Sequence, residues 1–226
     1  MIMIFDIVPV YNIELYLFAY LNGILDQSFI DFEIICIGDA SSNSSLEILN
    51  YFAKNNSLIK IIQNETNRCR GYSRNHGLKN SKVKYISFLD GDYFSSSVVF
   101  KISVKKAEKD SLDVVMFKNI VMYSNKKDFG MMPYYGMKFW NRFENRVFNH
   151  WDLDKTKLFE MFYDFWNKFY LKSFLDDDNI CFPNENLIHK DDPFFYDVII
   201  SANSISIINQ NILDFLRFND LGCKYD

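Results

Sequence analysis

The sequence predicts an α/β protein with a mostly parallel central sheet flanked by helices. Three observations carry that prediction. Short apolar runs of strand character alternate with helical segments over the first hundred residues, each run ends in a polar cluster, and the 226-residue chain is 49% hydrophobic, enough to bury a substantial core. Strand–helix alternation of this kind is what right-handed parallel crossovers produce.

The elements follow in order. Met1 to Val8 reads as a buried strand, closed by Pro9-Val10-Tyr11-Asn12. Asn12 is placed as N-cap of a helix with Glu14 in its first turn, where the dipole favours an acid, and with Leu17, Tyr20, Leu21 and Ile24 on one face. Phe32 to Ile37 is a second strand, running into Gly38-Asp39-Ala40-Ser41. Ser44 and Glu47 match a capping box, and Leu46, Leu49 and Ala53 give the next helix its stripe. Leu58 to Ile62 is a third strand, and Asn64 to Asn80 a polar loop entering a short helix that contains Arg74, Asn75 and Gly77. Tyr85 to Leu89 has the aliphatic and aromatic content of a fourth buried strand and stops at Asp90-Gly91-Asp92.

Beyond it come a helix from Val98 to Ala107 and a strand from Asp113 to Phe117. Residues 120 to 150 read as irregular loop or lid material over the strand ends. Trp151 to Lys172 reads as helical, with Leu158, Met161, Phe162 and Phe165 on one buried face. A turn at Pro183 to Asn186, the run Leu187-Ile-His-Lys-Asp-Asp-Pro-Phe-Phe195 preceding another helical segment, and a late strand at Ser204 to Ile208 complete the chain. No repeat or linker divides it, so a single domain over 1–226 is expected.

Composition removes several functions. A net charge of −4 argues against a nucleic-acid binder working by bulk phosphate attraction. Cys36, Cys69, Cys181 and Cys223 show no CxxC spacing, and no secretory signal precedes the first strand, so reduced thiols in a cytoplasmic protein are expected. No apolar run reaches the ~18 residues that a spanning helix needs. Peripheral contact with the inner face of the cell membrane stays open, because surface aromatics and lysines can supply it.

The chemistry gathers at the strand ends. In a parallel sheet the C-termini of neighbouring strands form one rim, and here that rim carries Tyr11, Asp39, Asp90 and Asp92. Two hard oxygen donors one residue apart suit Mg²⁺ or Mn²⁺ shared with a substrate's phosphates; the other reading of Asp90-Gly91 is an ordinary turn. There is no G-x-G-x-x-G after the first strand, no P-loop, no nucleophile elbow, and no zinc-type spacing among His76, His150 and His189. A phosphate site without a glycine-rich loop needs other positive charge, which a metal on Asp90 and Asp92 would supply, with Arg74 as a second source. Asp39 is suited either to accept hydrogen bonds from a base or ribose, or to cap the following helix.

Val8-Pro-Val-Tyr-Asn12, Asp31-Phe-Glu-Ile-Ile-Cys-Ile37, Ser44-Ser-Leu-Glu-Ile-Leu49, Arg74-Asn-His-Gly-Leu78 and Tyr85-Ile-Ser-Phe-Leu-Asp-Gly-Asp92 together resemble a bacterial family-two glycosyltransferase, and the resemblance resumes at Trp166-Asn-Lys168 and at Ile188-His-Lys-Asp-Asp-Pro-Phe-Phe195. The resemblance implies a GT-A, Rossmann-like sheet, with residues 1–118 holding a nucleotide-diphosphate sugar, a UDP-sugar in the first instance, and 119–226 facing a glycan or lipid-linked acceptor. It implies that Pro9, Tyr11 and Asp39 line the base, that Arg74 sits near the nucleotide, and that Asp90 reaches ribose and metal. Asp92 would ligate a Mg²⁺ or Mn²⁺ ion, and Asp191 would be the general base of an inverting displacement. The implied setting is bacterial surface polysaccharide synthesis.

Three departures stand out. Gly38-Asp39-Ala40-Ser41 replaces a frequent Asp-Asp-Gly-Ser, Cys69 stands where a glycine is common, and Lys190 replaces an acid beside Asp191, leaving His189, Asp191 and Asp192 as alternatives for the residue facing the acceptor. The aromatic stretch 131–140, with Trp151 and Trp166, is where an acceptor sugar could stack, or where a lid packs. Two other functions fit less of the chain: a degenerate sugar-nucleotide-binding module, and a sugar-nucleotide nucleotidyltransferase, which favours a basic glycine-rich loop after the first strand.

Overall fold

The computed structural model describes residues 2–91, 93–124, 130–131, 141–144, 146–154, 167–184 and 191–217. One mixed sheet organises them. Strands β1 (Ile4–Val10), β2 (Phe32–Gly38), β3 (Ile59–Gln63) and β4 (Tyr85–Ser87) lie parallel in the order β3-β2-β1-β4. Helices α1 (Glu14–Leu25), α2 (Ser45–Asn55) and α3 (Cys69–Asn80) make the crossovers. Strand β5 (Tyr93–Ser95) and helix α4 (Val99–Asp110) lead to β6 (Val114–Ser124), and two short strands follow, β7 (Gly130–Met131) on β6 and β8 (Val147–Phe148) on β10 (Ile205–Arg217). Strand β9 (Lys168–Leu171) fills the gap between β4 and β6, antiparallel to both. Strand β10 runs parallel to β6 and carries β5 on its outer edge. Two further helices, α5 (Lys172–Asp177) and α6 (Asp191–Ser201), complete the described chain.

Every residue of β1 and β2 is buried, as expected of strands covered on both faces. Their side chains alternate between two cores. Ile4, Val8 and Val10 pack with Leu17, Tyr20 and Leu21 of α1, whereas Phe5, Ile7 and Ile35 pack with Phe88 and with Phe194, Val198 and Ile199 of α6. Helix α3 presses close to β1 at Gly77, where any Cβ would overlap the Cγ2 of Ile7.

The first four strands and three helices stand where the sequence puts them, and three expectations fail. Lys168–Leu171 is strand, not the end of a helix. Phe169 stacks on Tyr85 at 5.0 Å and Tyr170 meets Phe88 at 5.7 Å, so both faces of β9 are buried and hydrophobic spacing carries no period to read. The helical stripe expected at 158–165 lies outside the described residues. Strand β6 continues to Ser124 and β10 to Arg217, because each is the other's parallel partner along that length. Neither expected cap forms: Ile13 occupies the N-cap position of α1, and Ser44, the N-cap of α2, makes no side-chain cap bond. The polar atoms of these turns go to the neighbouring loop instead.

Candidate active site

The rim begins with two loops stitched together. Val10 O accepts from Asp39 N at 2.9 Å, Ser41 Oγ accepts from Asn12 N at 3.1 Å, and Asn12 Oδ1 accepts from Ser42 N at 2.9 Å. Glu14 Oε2 accepts from Ser44 N at 2.8 Å, and Ser45 Oγ from Ile13 N at 3.0 Å. The Asn12 oxygen that would have capped α1 is thereby spent across the loops, which is why that cap signal misread the turn. Pro9 is buried near the end of β1, and Tyr11, just past that strand, is 45% exposed.

Asp39 is buried at the end of β2, where Oδ1 accepts from Asn64 Nδ2 at 2.7 Å and from Arg68 N at 2.9 Å. It therefore anchors the loop that enters α3 and does not cap α2. Asn64, directly after β3, is the hub: its Nδ2 also reaches Ser73 Oγ at 3.0 Å, and its Oδ1 lies 2.9 Å from His76 Nδ1. Two non-glycine residues in the left-handed region frame Asp39. Ala40 (φ 57°) follows it, and Cys69 (φ 66°) follows the Arg68 whose amide it binds. These are the two places where the resembling family tends to have glycine, so the backbone geometry is kept here at a cost in strain.

Arg74 is 1% exposed, and its Nη2 donates to Asp90 Oδ1 at 2.8 Å; the Asp90 side chain is 19% exposed. The guanidinium also lies 5.0 Å from the Phe182 ring. Gly91 is buried against Ile13 of the first loop, where a Cβ would crowd Ile13 Cδ1. Adjacent residues of α3 thus serve both acids, Ser73 through Asn64 to Asp39 and Arg74 directly to Asp90. Behind them Asp6 is fully buried in β1, with its carboxyl pushed up to about 7, first by burial.

An aromatic cluster brings α6 to this rim. Phe194 stacks on Phe182 at 3.9 Å and 11° and meets Phe88 edge-on at 5.7 Å. Asn75 holds the Phe182 backbone on both sides, donating to Phe182 O at 2.7 Å and accepting from Phe182 N at 2.9 Å, and also reaches Asn184 Oδ1 at 3.0 Å. Asp191 opens α6 three residues before Phe194, so the contact of Phe194 with Phe88 fixes the start of this helix near the end of β4. Lys168 is buried, with Nζ 2.6 Å from Asn167 Oδ1 and 4.8 Å from the centre of the Phe195 ring.

Of the residues singled out by sequence, Pro9, Tyr11, Asp39 and Asp90 gather at the ends of β1, β2 and β4, and Arg74 reaches Asp90 from the middle of α3. Asp92, Trp166, His189 and Lys190 lie outside the described residues, as does 132–140 of the aromatic stretch. Sequence reading passed over Asp6 and Asn64. A charged residue inside an apolar strand was the signal for Asp6, and a polar residue directly after a strand, as at Asp39, was the signal for Asn64. Among the described residues no three metal-ligating side chains cluster. Asp90 nevertheless offers a partly exposed carboxylate with one oxygen committed to Arg74, a hard-oxygen donor that fits Mg²⁺ or Mn²⁺ completed by substrate phosphates.

The family model for glycosyl transferase family 2 matches residues 7–177, most of the chain. The chain belongs to glycosyl transferase family 2. Over 109 residues it is 36% identical to EpsJ, an uncharacterized glycosyltransferase of Bacillus subtilis, covering 48% of this chain and 31% of that protein. It is 26% identical over 206 residues to the poly(ribitol-phosphate) beta-N-acetylglucosaminyltransferase TarS of Staphylococcus aureus, covering 90% of this chain and 33% of that one. The crystal structure of TarS 1–349 with UDP-GlcNAc superposes with a TM-score of 0.77 at 24% identity, over 95% of this chain and 58% of that one. A Pyrobaculum calidifontis mannosyltransferase in complex with GDP-Man and Mn²⁺ gives 0.64 at 13% identity, over 95% and 56%. Both structures share the fold of this family-2 member, which is GT-A. The chain spans from about a third to about three fifths of the length of these relatives. Among its described residues no helix is long and apolar enough to cross a membrane.

Proposed function

We propose that this family-2 member transfers a sugar from a nucleotide-diphosphate donor, a UDP-sugar, to a hydroxyl of a glycan or lipid-linked acceptor with inversion. The observation that carries the proposal is the shared support of two acids at the ends of β2 and β4, the strands that flank β1: Asp39 held through Asn64, and Asp90 paired with the buried Arg74. Residues 1–118 form the donor side and 119–226 the acceptor side. The exposed Tyr11 ring, two residues past Pro9, stacks on the base. Asp39 engages Asn64 and Arg68 through Oδ1, which leaves Oδ2 to accept a base N–H. Arg74 holds the Asp90 carboxylate oriented toward the ribose.

A divalent cation, Mg²⁺ or Mn²⁺ on Asp90 and Asp92, would neutralise charge on the departing nucleoside diphosphate. Asp191, at the start of α6, takes the proton of the attacking hydroxyl in a single in-line displacement. The TarS complex with UDP-GlcNAc and the mannosyltransferase complex with Mn²⁺ support the choice of donor and metal. The proposed setting is assembly of a bacterial surface polysaccharide in the cytoplasm, at the inner face of the membrane where a lipid-linked acceptor would lie.

The test is release of UDP from a panel of UDP-sugars by the purified protein with Mn²⁺, with and without candidate acceptors. Turnover abolished by Asp92→Asn, and reduced by at least about a hundredfold by Asp191→Asn, is expected. Gly38, where the resembling family often has an acid, favours one rival, a binding module. Metal-dependent UDP binding without turnover of any donor would favour that rival.

A further inference from the structure

Asp6 serves no role in the chemistry above, yet it is the most deeply committed carboxyl among the described residues. It lies mid-strand in β1, fully buried, on the sheet face covered by α1. The Tyr20 hydroxyl of α1 donates to its Oδ2, and the Ser87 hydroxyl of β4 donates to its Oδ1. The same Oδ1 accepts from Leu89 N at 3.3 Å. The β1–β4 ladder ends at the Asp6–Ser87 pair, so beyond that point a side chain, not a backbone carbonyl, takes the amide of Leu89, two residues past β4. Leu89 immediately precedes Asp90.

We infer that Asp6 is a positioning residue for the donor site, holding the end of β4 so that Asp90 meets the Arg74 guanidinium. This inference rests on the donor-site reading for its functional consequence, but the positioning itself is a property of the free protein. A valine at position 6 would suit a doubly covered strand better, and would leave two hydroxyls and an amide without their acceptor in an apolar core. The groups that face Asp6 are Tyr20 from α1, Cys36 from β2, and Asp90 with its partner Arg74. Burial pushes the Tyr20 hydroxyl and the Cys36 thiol well up, so both stay neutral around pH 7. Burial raises the Asp6 carboxyl to about 7, the bonds from Ser87, Tyr20 and Leu89 pull it down, and the charge on Asp90 adds to the rise. Its ionisation therefore changes the grip on Leu89 and the charge behind Asp90 within the neutral range.

The test uses the ¹⁵N-labelled chain. Amide resonances of Leu89, Asp90 and Gly91 and the Arg74 side-chain N–H are followed from pH 5.5 to 8.5 in wild type, Asp6→Asn and Asp6→Val. A common step near pH 7 in wild type that vanishes in both variants supports the role. Resonances of Leu89, Asp90 and Gly91 that Asp6→Val leaves unmoved at every pH, or the same step in Asp6→Asn, overturn it whatever nucleotide does. In parallel, UDP is titrated with Mn²⁺ at pH 8. Asp6→Val is expected to bind about tenfold more weakly, and Asp6→Asn, which keeps an acceptor for Leu89 and Ser87, to recover most of that loss. Unchanged affinity in a folded Asp6→Val protein would overturn the positioning role. UDP binding absent even from wild type would remove the donor-site reading and leave the resonance experiment to decide the role of Asp6.

Discussion

Cys69 holds φ 66° at the first residue of α3, and replacing it by glycine should stabilise the protein. An L-residue in the left-handed region costs about 1–2 kcal/mol. Glycine removes that cost and gives back roughly 0.5–1 kcal/mol through its greater freedom in the unfolded chain. The substitution also breaks a weak bond from the Cys69 thiol to Asn184 O, 3.8 Å long and set in a partly exposed loop, which should matter little. The net expectation for Cys69→Gly is a gain of about 0.5–1 kcal/mol, or roughly 1–4 °C in Tm for a chain of this size. Urea titration followed by far-UV circular dichroism measures it as a higher midpoint at unchanged slope. Cys69→Ser is the control, since it removes the thiol and keeps the strained backbone, and its midpoint should not rise. Ala40→Gly should act in the same direction, and the two gains should not simply add, because both positions bear on Asp39. A Cys69→Gly midpoint at or below wild type would refute the strain reasoning.

Two further predictions concern the core behind the rim. Because burial raises the Asp6 carboxyl to about 7, its contribution to stability is complete below the ordinary carboxylate range and is lost as pH climbs through that value. Asp6→Asn has no such loss, so its stability relative to wild type should improve by roughly 2–3 kcal/mol between pH 5 and pH 8; parallel pH curves in chemical denaturation would contradict this. At Gly77, a Cβ would overlap Ile7 Cγ2, so Gly77→Ala should cost about 1–3 kcal/mol by pushing α3 off β1. Combining it with Ile7→Ala should cost less than the two single changes summed, and strict additivity in the double-mutant cycle would argue against the clash.

The first four strands were legible because their physics is local and repetitive. Each strand of β1 to β4 is a single apolar run, each run ends in polar residues, and parallel topology brings Tyr11, Asp39 and Asp90 to one edge without any knowledge of packing. The caps were not legible, since Asn12 gives its oxygen to Ser42 N and Ser44 gives its amide to Glu14, both across to the neighbouring loop, a choice that depends on two loops being adjacent. Strand β9 was misread because Phe169 and Tyr170 are buried on opposite faces, which erases the period that separates strand from helix. Asp6 is a lone charge inside an apolar run, and its meaning appears only once Tyr20 and Ser87 stand opposite it. Asn75 belonged to a recognisable segment, yet nothing in the sequence says that its amide grips the backbone of Phe182 more than a hundred residues later.

The central claim is that Arg74 and the acids at the ends of β2 and β4 form a metal-assisted nucleotide site. Calorimetric titration of UDP, with Mn²⁺ and with chelator, into wild type, Arg74→Met and Asp39→Asn tests it most directly. Saturable binding that requires Mn²⁺ and weakens by about tenfold or more in each variant is the predicted result. Binding of equal strength with and without metal, undiminished in both variants, would contradict it.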